Sequence, residues 1–153
     1  MFMVCSDYSL EPNPVLRLAD SPPKLKLPLF SAKVPAGFPS PADDHIEGKL
    51  DLNEYLVRRP AATFFVRASG ESMRDAGIFD GDLLIIDRGV TPQPDDIVIA
   101  ILQGDLTVKR LKKVGGQWHL AAENKDYPSL SIGEGDCEVW GVVTHSIRRH
   151  CGR

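Results

Sequence analysis

Apolar residues after position 61 come in short runs separated by turn-forming residues. The runs are "TFFVRA" (63–68), "DLLIID" (82–87), "DIVIAIL" (96–102), "LTVKRL" (106–111), "QWHLAA" (117–122) and "CEVWGVV" (137–143). They are rich in β-branched and aromatic residues and too short for helices, so each predicts a strand. "DAGIFDG", "RGVTPQPDD", "QGD", "GGQ" and "SIGEGD" divide them. Gln103-Gly104 and Gly115-Gly116 each read as a tight hairpin turn, which requires antiparallel neighbours. The fold class expected is mostly β, a domain of antiparallel strands with one or two short helices. The clearest helix is in "DLNEYLVRRP" (51–60): Asp51 caps it, Leu52, Tyr55 and Leu56 share a face, and Pro60 stops it.

The first forty-odd residues follow another pattern. Eight of the chain's 12 prolines (Pro12, Pro14, Pro22, Pro23, Pro28, Pro35, Pro39 and Pro41) fall there. Proline at this density removes backbone donors from helices and central strands alike. Leu25, Leu27 and Leu29 alternate only briefly. This part reads as an extended N-terminal arm that lies on something rather than packing alone.

Composition adds mainly exclusions. A chain of 153 residues with 42% hydrophobic and 25% charged residues buries an ordinary globular core. A net charge of −3 supplies no global field for nucleic acid, and the basic tail "HSIRRHCGR" reads as a solvated terminus. Cys5, Cys137 and Cys151 form no C-x-x-C pair, which suits a reducing, cytoplasmic setting. Cys151 beside His150 is too little for a tetrahedral site, and His45, His119 and His145 are dispersed, so no metal and no cofactor is expected. No apolar stretch reaches the ~18–20 residues of a membrane span, and the N-terminus does not read as a signal peptide.

The chemistry centres on "ASGESM" (68–73), where Ser72 follows an apolar run and sits in a turn two residues after Gly70. A serine attacks only when a base takes its proton, and no histidine is nearby in sequence. The nucleophile elbow G-x-S-x-G fails because its fifth position is Arg74 and no parallel sheet is expected. "SPPK" (21–24) matches S-x-x-K formally, but Pro22-Pro23 prevent the helical turn that motif needs. Another candidate base is Lys109. Strand alternation puts Thr107, Lys109 and Leu111 on one face and Leu106, Val108 and Arg110 on the other. A lysine in a strand ordinarily faces solvent at an edge. To act as a base it must lose its charge near neutrality rather than at its usual ~10.4, a destabilisation of the ammonium by ~4 kcal/mol that apolar burial without a carboxylate supplies.

"GFPSPADDHIEGKLDLNEYL", "FFVRASGESMRDAGIFDGDLLIIDRG", "DIVIAILQGDLTVKRL" and "VWGVV" together resemble the UmuD branch of the LexA-like self-cleaving peptidases, from about Leu29 to Arg148. The resemblance implies a LexA/signal-peptidase-like β-domain, a serine–lysine endopeptidase with Ser72 as nucleophile and Lys109 as base, and a scissile bond between Ala36 and Gly37. Residues 1–36 would then be the arm removed by self-cleavage and 37–153 the peptidase domain. Val34 and Pro35 would present the arm, and the Ser72 N–H would bind the oxyanion. Typical members of this branch have Cys-Gly at the cut; Ala-Gly is the pair found in LexA, and both keep a small residue before the bond. The resemblance also implies homodimers, stimulation by a RecA–single-stranded-DNA filament in the SOS response, and a processed form that serves a UmuC-type Y-family translesion polymerase.

Two rivals share parts of this pattern. A LexA-like repressor needs a helix-turn-helix before the cut, and 36 residues holding six prolines cannot form three helices, so sequence-specific DNA binding is not expected. A non-cleaving polymerase adaptor would keep the β scaffold without the chemistry.

Overall fold

A computed structural model describes residues 24–31, 34, 36–37, 46–132 and 137–152. They fall into two compact units, one ending at Val57 and the other beginning at Arg58.

In the first unit, β1 (Lys26–Phe30) pairs antiparallel with β2 (Ile46–Asp51), with Leu27 opposite Leu50 and Leu29 opposite Gly48. Residues 26–30, read from sequence as part of an extended arm, are extended and hydrogen-bonded to β2. Pro28 is tolerated because a two-stranded sheet leaves one side of each strand without a ladder. The short helix α1 (Leu52–Leu56) starts where the sequence places it. Asp51 Oδ1 accepts from Asn53 N at 2.9 Å and Glu54 N at 3.4 Å, and its Oδ2 accepts from Leu25 N at 2.9 Å. One buried carboxylate thus caps α1 and holds the start of the hairpin. The helix ends earlier than expected, with Val57 already extended (φ −114°, ψ 90°). Pro60 keeps Arg59 out of the helical region (φ −131°, ψ 83°) and opens a 3-10 turn, Pro60–Ala62, instead.

The second unit is built on one antiparallel sheet. Its strands are β3 (Thr63–Arg67), β4 (Leu83–Asp87), β5 (Ile97–Leu102), β6 (Asp105–Val114), β7 (Gln117–Ala121), β8 (Leu130–Ser131) and β9 (Cys137–Ile147). The order across the sheet is β3-β4-β9-β5-β6-β7-β8. All six strands read from the sequence are present; β8 was not anticipated. Both hairpin turns carry positive φ at each central residue, Gln103 (52°) with Gly104 (90°) and Gly115 (58°) with Gly116 (84°), as a turn matched to strand twist requires.

β9 divides its pairing between two neighbours. Its later residues pair with β4 and its earlier ones with β5, with an irregularity in each ladder, at Ile85/Ile86 and at Ile99/Ala100. Such interruptions bend a strand and steepen its twist. Two buried clusters result. One holds Ala68, Met73, Ile78, Leu84, Ile86 and Ile99; the other holds Val98, Ala100, Leu111, Leu120 and Val142. Alternate residues of β5 enter alternate clusters, so "DIVIAIL" is apolar throughout rather than at every second position. At the bend, a Cβ on Gly141 would lie 2.5 Å from Ile86 Cγ2 and 3.2 Å from Arg88 Cγ. Gly141→Ala therefore overpacks the crossing and lowers stability by about 2 kcal/mol, lowering the thermal midpoint by several degrees in calorimetry.

Candidate active site

Ser72 stands on the connection between β3 and β4. Ala68 N donates to Asp82 O at 2.8 Å and Gly81 N to Ala68 O at 2.9 Å, closing the neck of this loop. Within it, Gly70 adopts φ 83°, and its N–H donates to Asp80 Oδ1 at 2.8 Å. Met73, 1% exposed, plugs the first cluster, so the residue next to Ser72 is fixed by the core. A 3-10 turn (Arg74–Ala76) follows, ended by Gly77 in the left-handed region. Below it, Asp82 accepts from Phe79 N at 2.9 Å and from Arg148 Nε and Nη2 at 2.8 and 2.6 Å. The Arg148 guanidinium also lies 3.8 Å from the centre of the Phe79 ring and donates to Gly77 O at 2.7 Å.

Lys109 comes from β6. Its Nζ lies 2.9 Å from Ser72 Oγ, 3.0 Å from Thr107 Oγ1 and 3.0 Å from Val108 O. Thr107 and Lys109 share a strand face as their spacing predicts, while Val108 packs toward the first cluster. Lys109 is partly buried, and loss of hydration pushes its amine below the ordinary lysine value. No carboxylate among the described residues pairs with it. The three neighbours also fit the neutral amine, which has two N–H donors and one lone pair. Val108 O can only accept, and Thr107 Oγ1 takes the second N–H, which leaves the lone pair for the Ser72 hydroxyl.

Among the described residues, Lys109 is the one side chain hydrogen-bonded to Ser72 Oγ, and no residue accepts from the Ser72 backbone N–H. Val34, 90% exposed, Ala36 and Gly37 belong to the first unit; Pro35 lies outside the described residues. A Cβ at Gly37 would meet nothing within 4 Å.

Sequence reasoning missed the segment that braces the serine turn. Glu123 N donates to Ser72 O at 2.8 Å, and Glu123 O accepts from Asp75 N at 2.8 Å. Buried Asn124 donates from Nδ2 to Glu71 O at 2.9 Å. The Glu123 carboxylate pairs with Arg110, the residue after Lys109, so the same segment is tied to both sides of the site. "ENKDYP" carries the signal of a turn, but nothing in it says what the turn holds.

A family model described as Peptidase S24-like matches residues 28–144. Protein SamA of Salmonella typhimurium is 49% identical over 122 residues, covering 80% of this chain and 85% of SamA. Protein ImpA of Escherichia coli is 50% identical over 123 residues, 80% of this chain and 83% of ImpA. The LexA repressor of Colwellia psychrerythraea is 42% identical over 124 residues, 80% of this chain but 58% of the repressor. The chain belongs to the peptidase S24-like family, a family of serine peptidases, and within it to the UmuD-like branch. Among the described residues no helix is long and apolar enough to cross a membrane.

Proposed function

We propose that the protein is a self-cleaving serine–lysine endopeptidase that cuts its own Ala36–Gly37 bond. The observation that carries this reading is the 2.9 Å approach of Lys109 Nζ to Ser72 Oγ, with burial lowering the pKa of the amine and no carboxylate among the described residues paired with it. Neutral Lys109 takes the Ser72 proton as Oγ attacks the Ala36 carbonyl. The Ser72 N–H stabilises the oxyanion. Lys109 then returns the proton to the departing Gly37 amine, and water, deprotonated by the same lysine, releases the acyl group. Ala36 and Gly37 offer little bulk around the carbonyl. Val34 anchors the arm, and Pro35 favours the extended backbone an arm needs. The segment removed is 1–36, and the product is 37–153.

The relatives and the resemblance support a place in the SOS response. In this reading a RecA–single-stranded-DNA filament favours the cutting-competent state, and the processed form, as a homodimer, serves a UmuC-type translesion polymerase in the cytoplasm.

The test is to incubate the purified protein at alkaline pH, then with RecA, ATP and single-stranded DNA, and weigh the fragments. A product starting at Gly37 is expected under both conditions; absence of cutting under both leaves a non-cleaving adaptor. The rate of unstimulated cutting rises about tenfold per pH unit while the amine is mostly protonated and levels off above its depressed pKa, because only the neutral form is a base. A flat profile through the alkaline range would remove Lys109 from that role.

A further inference from the structure

The direction of the Ser72 N–H is set by a residue outside the serine–lysine pair. In a trans peptide the C=O of one residue and the N–H of the next lie in one plane and point opposite ways. Whatever holds the Glu71 carbonyl therefore aims the Ser72 N–H, and whatever holds the Ser72 carbonyl aims the Met73 N–H. The first accepts from Asn124 Nδ2 at 2.9 Å and, within the turn, more weakly from Arg74 N at 3.2 Å; the second accepts from Glu123 N at 2.8 Å. Both carbonyls are thus turned toward the 123–124 segment and both N–H groups away from it. None of the described residues accepts from the Ser72 N–H or the Met73 N–H.

Asn124 is built for this task. It is 5% exposed, and its Oδ1 accepts from Asp126 N at 3.0 Å, which fixes which end of the amide is oxygen and leaves Nδ2 facing Glu71. Its own carbonyl accepts from Tyr127 N at 3.0 Å. The Arg110–Glu123 ion pair ties the neighbouring residue to β6, the strand that carries Lys109. The brace therefore fixes the serine turn relative to the strand that supplies the amine.

We propose that Asn124 is a positioning residue for self-cleavage: by holding the Glu71 carbonyl it aims the Ser72 N–H at the oxyanion that forms on the Ala36 carbonyl. This rests on the serine–lysine reading above. Asn124→Ser separates positioning from folding of the turn, because its hydroxyl can still accept from Asp126 N but is too short to reach Glu71 O; Asn124→Ala removes both bonds.

The experiment compares the full chain with these variants and with Ser72→Ala and Lys109→Ala, recording alkaline self-cleavage against pH and backbone amide NMR spectra. For Asn124→Ser, the plateau rate falls ~10-fold or more while the midpoint of the pH profile stays in place, since the amine is untouched. The Ser72 amide signal moves or splits, and those of Leu84 and Leu120 in the two clusters do not. An unchanged plateau or an unmoved Ser72 signal overturns the proposal. So does a lower plateau accompanied by a moved midpoint and shifted core signals, which marks general loosening. If the cleavage product persists in Ser72→Ala or Lys109→Ala, or never forms, the serine–lysine reading fails instead. The Ser72 amide signal then decides alone: movement in Asn124→Ser sustains the aiming role, and its absence ends it.

Discussion

Ser72→Ala and Lys109→Ala each reduce self-cleavage at alkaline pH by about 10⁴-fold or more, and the double variant is no slower than either single one. In the proposed mechanism the two groups perform one step. Without the amine the hydroxyl keeps its proton, and without the hydroxyl the amine has nothing to activate. Their 2.9 Å separation makes this a direct transfer. Lys109→Arg is as inactive as Lys109→Ala throughout the accessible pH range, because a guanidinium does not surrender its proton. Fragment mass accumulated over days gives the residual rates. Residual cutting within tenfold of wild type in any of these variants would mean that another group supplies the base.

The second large effect is on stability. Asp82→Ala lowers the free energy of unfolding by about 3 kcal/mol, read as a fall in the denaturation midpoint at unchanged slope. Asp82 is 2% exposed and accepts from both Arg148 and Phe79 N, so its removal leaves the Phe79 N–H without its acceptor and the Arg148 guanidinium without its carboxylate, with Gly77 O still in reach. The bond from Arg148 holds the Asp82 carboxyl below the usual carboxylate range, helped by the Phe79 N–H and the charges of Arg148 and His150. A lowered folded-state value means the unfolded chain binds the proton more readily. The contribution is therefore complete above an unfolded carboxylate's ~3.9 and is lost as pH falls from there through the lower folded value. Asp82→Ala should show a smaller loss of stability on acidification than wild type. An equal acid dependence would mean that other carboxylates govern it.

The β domain was legible because its strands are marked twice, by apolar runs and by the turn residues between them. Gln103-Gly104 and Gly115-Gly116 announce their hairpins by the conformation they permit. The β1–β2 pair was not legible. Its partners are separated by a proline-bearing stretch, and a short alternation such as Leu25-Leu27-Leu29 names no partner. Pro60 signalled an end to α1 but not that its influence on Arg59 would reach back and shorten the helix to Leu56. At the site, alternation correctly put Thr107 beside Lys109 but left open whether that face is wet or dry. The answer lies in Ser72, 37 positions away, and in the packing of Met73 and Val108, which no local pattern contains. The resemblance, not the periodicity, brought Ser72 and Lys109 together on paper. The Asn124 bond to Glu71 O spans 53 positions and could not have been read from either end.

The placement of β9 has a consequence for synthesis. β3 and β4 flank the serine loop, and β6 carries the lysine, yet among the described residues these two groups of strands are joined in the sheet through β9. A nascent chain leaving the ribosome has made both reactive groups long before residue 147 emerges, but it lacks the strand that joins their halves. In the proposed reading, the serine and the lysine are therefore brought together only once β9 has been made, so that a chain carrying its own substrate is spared cutting during synthesis.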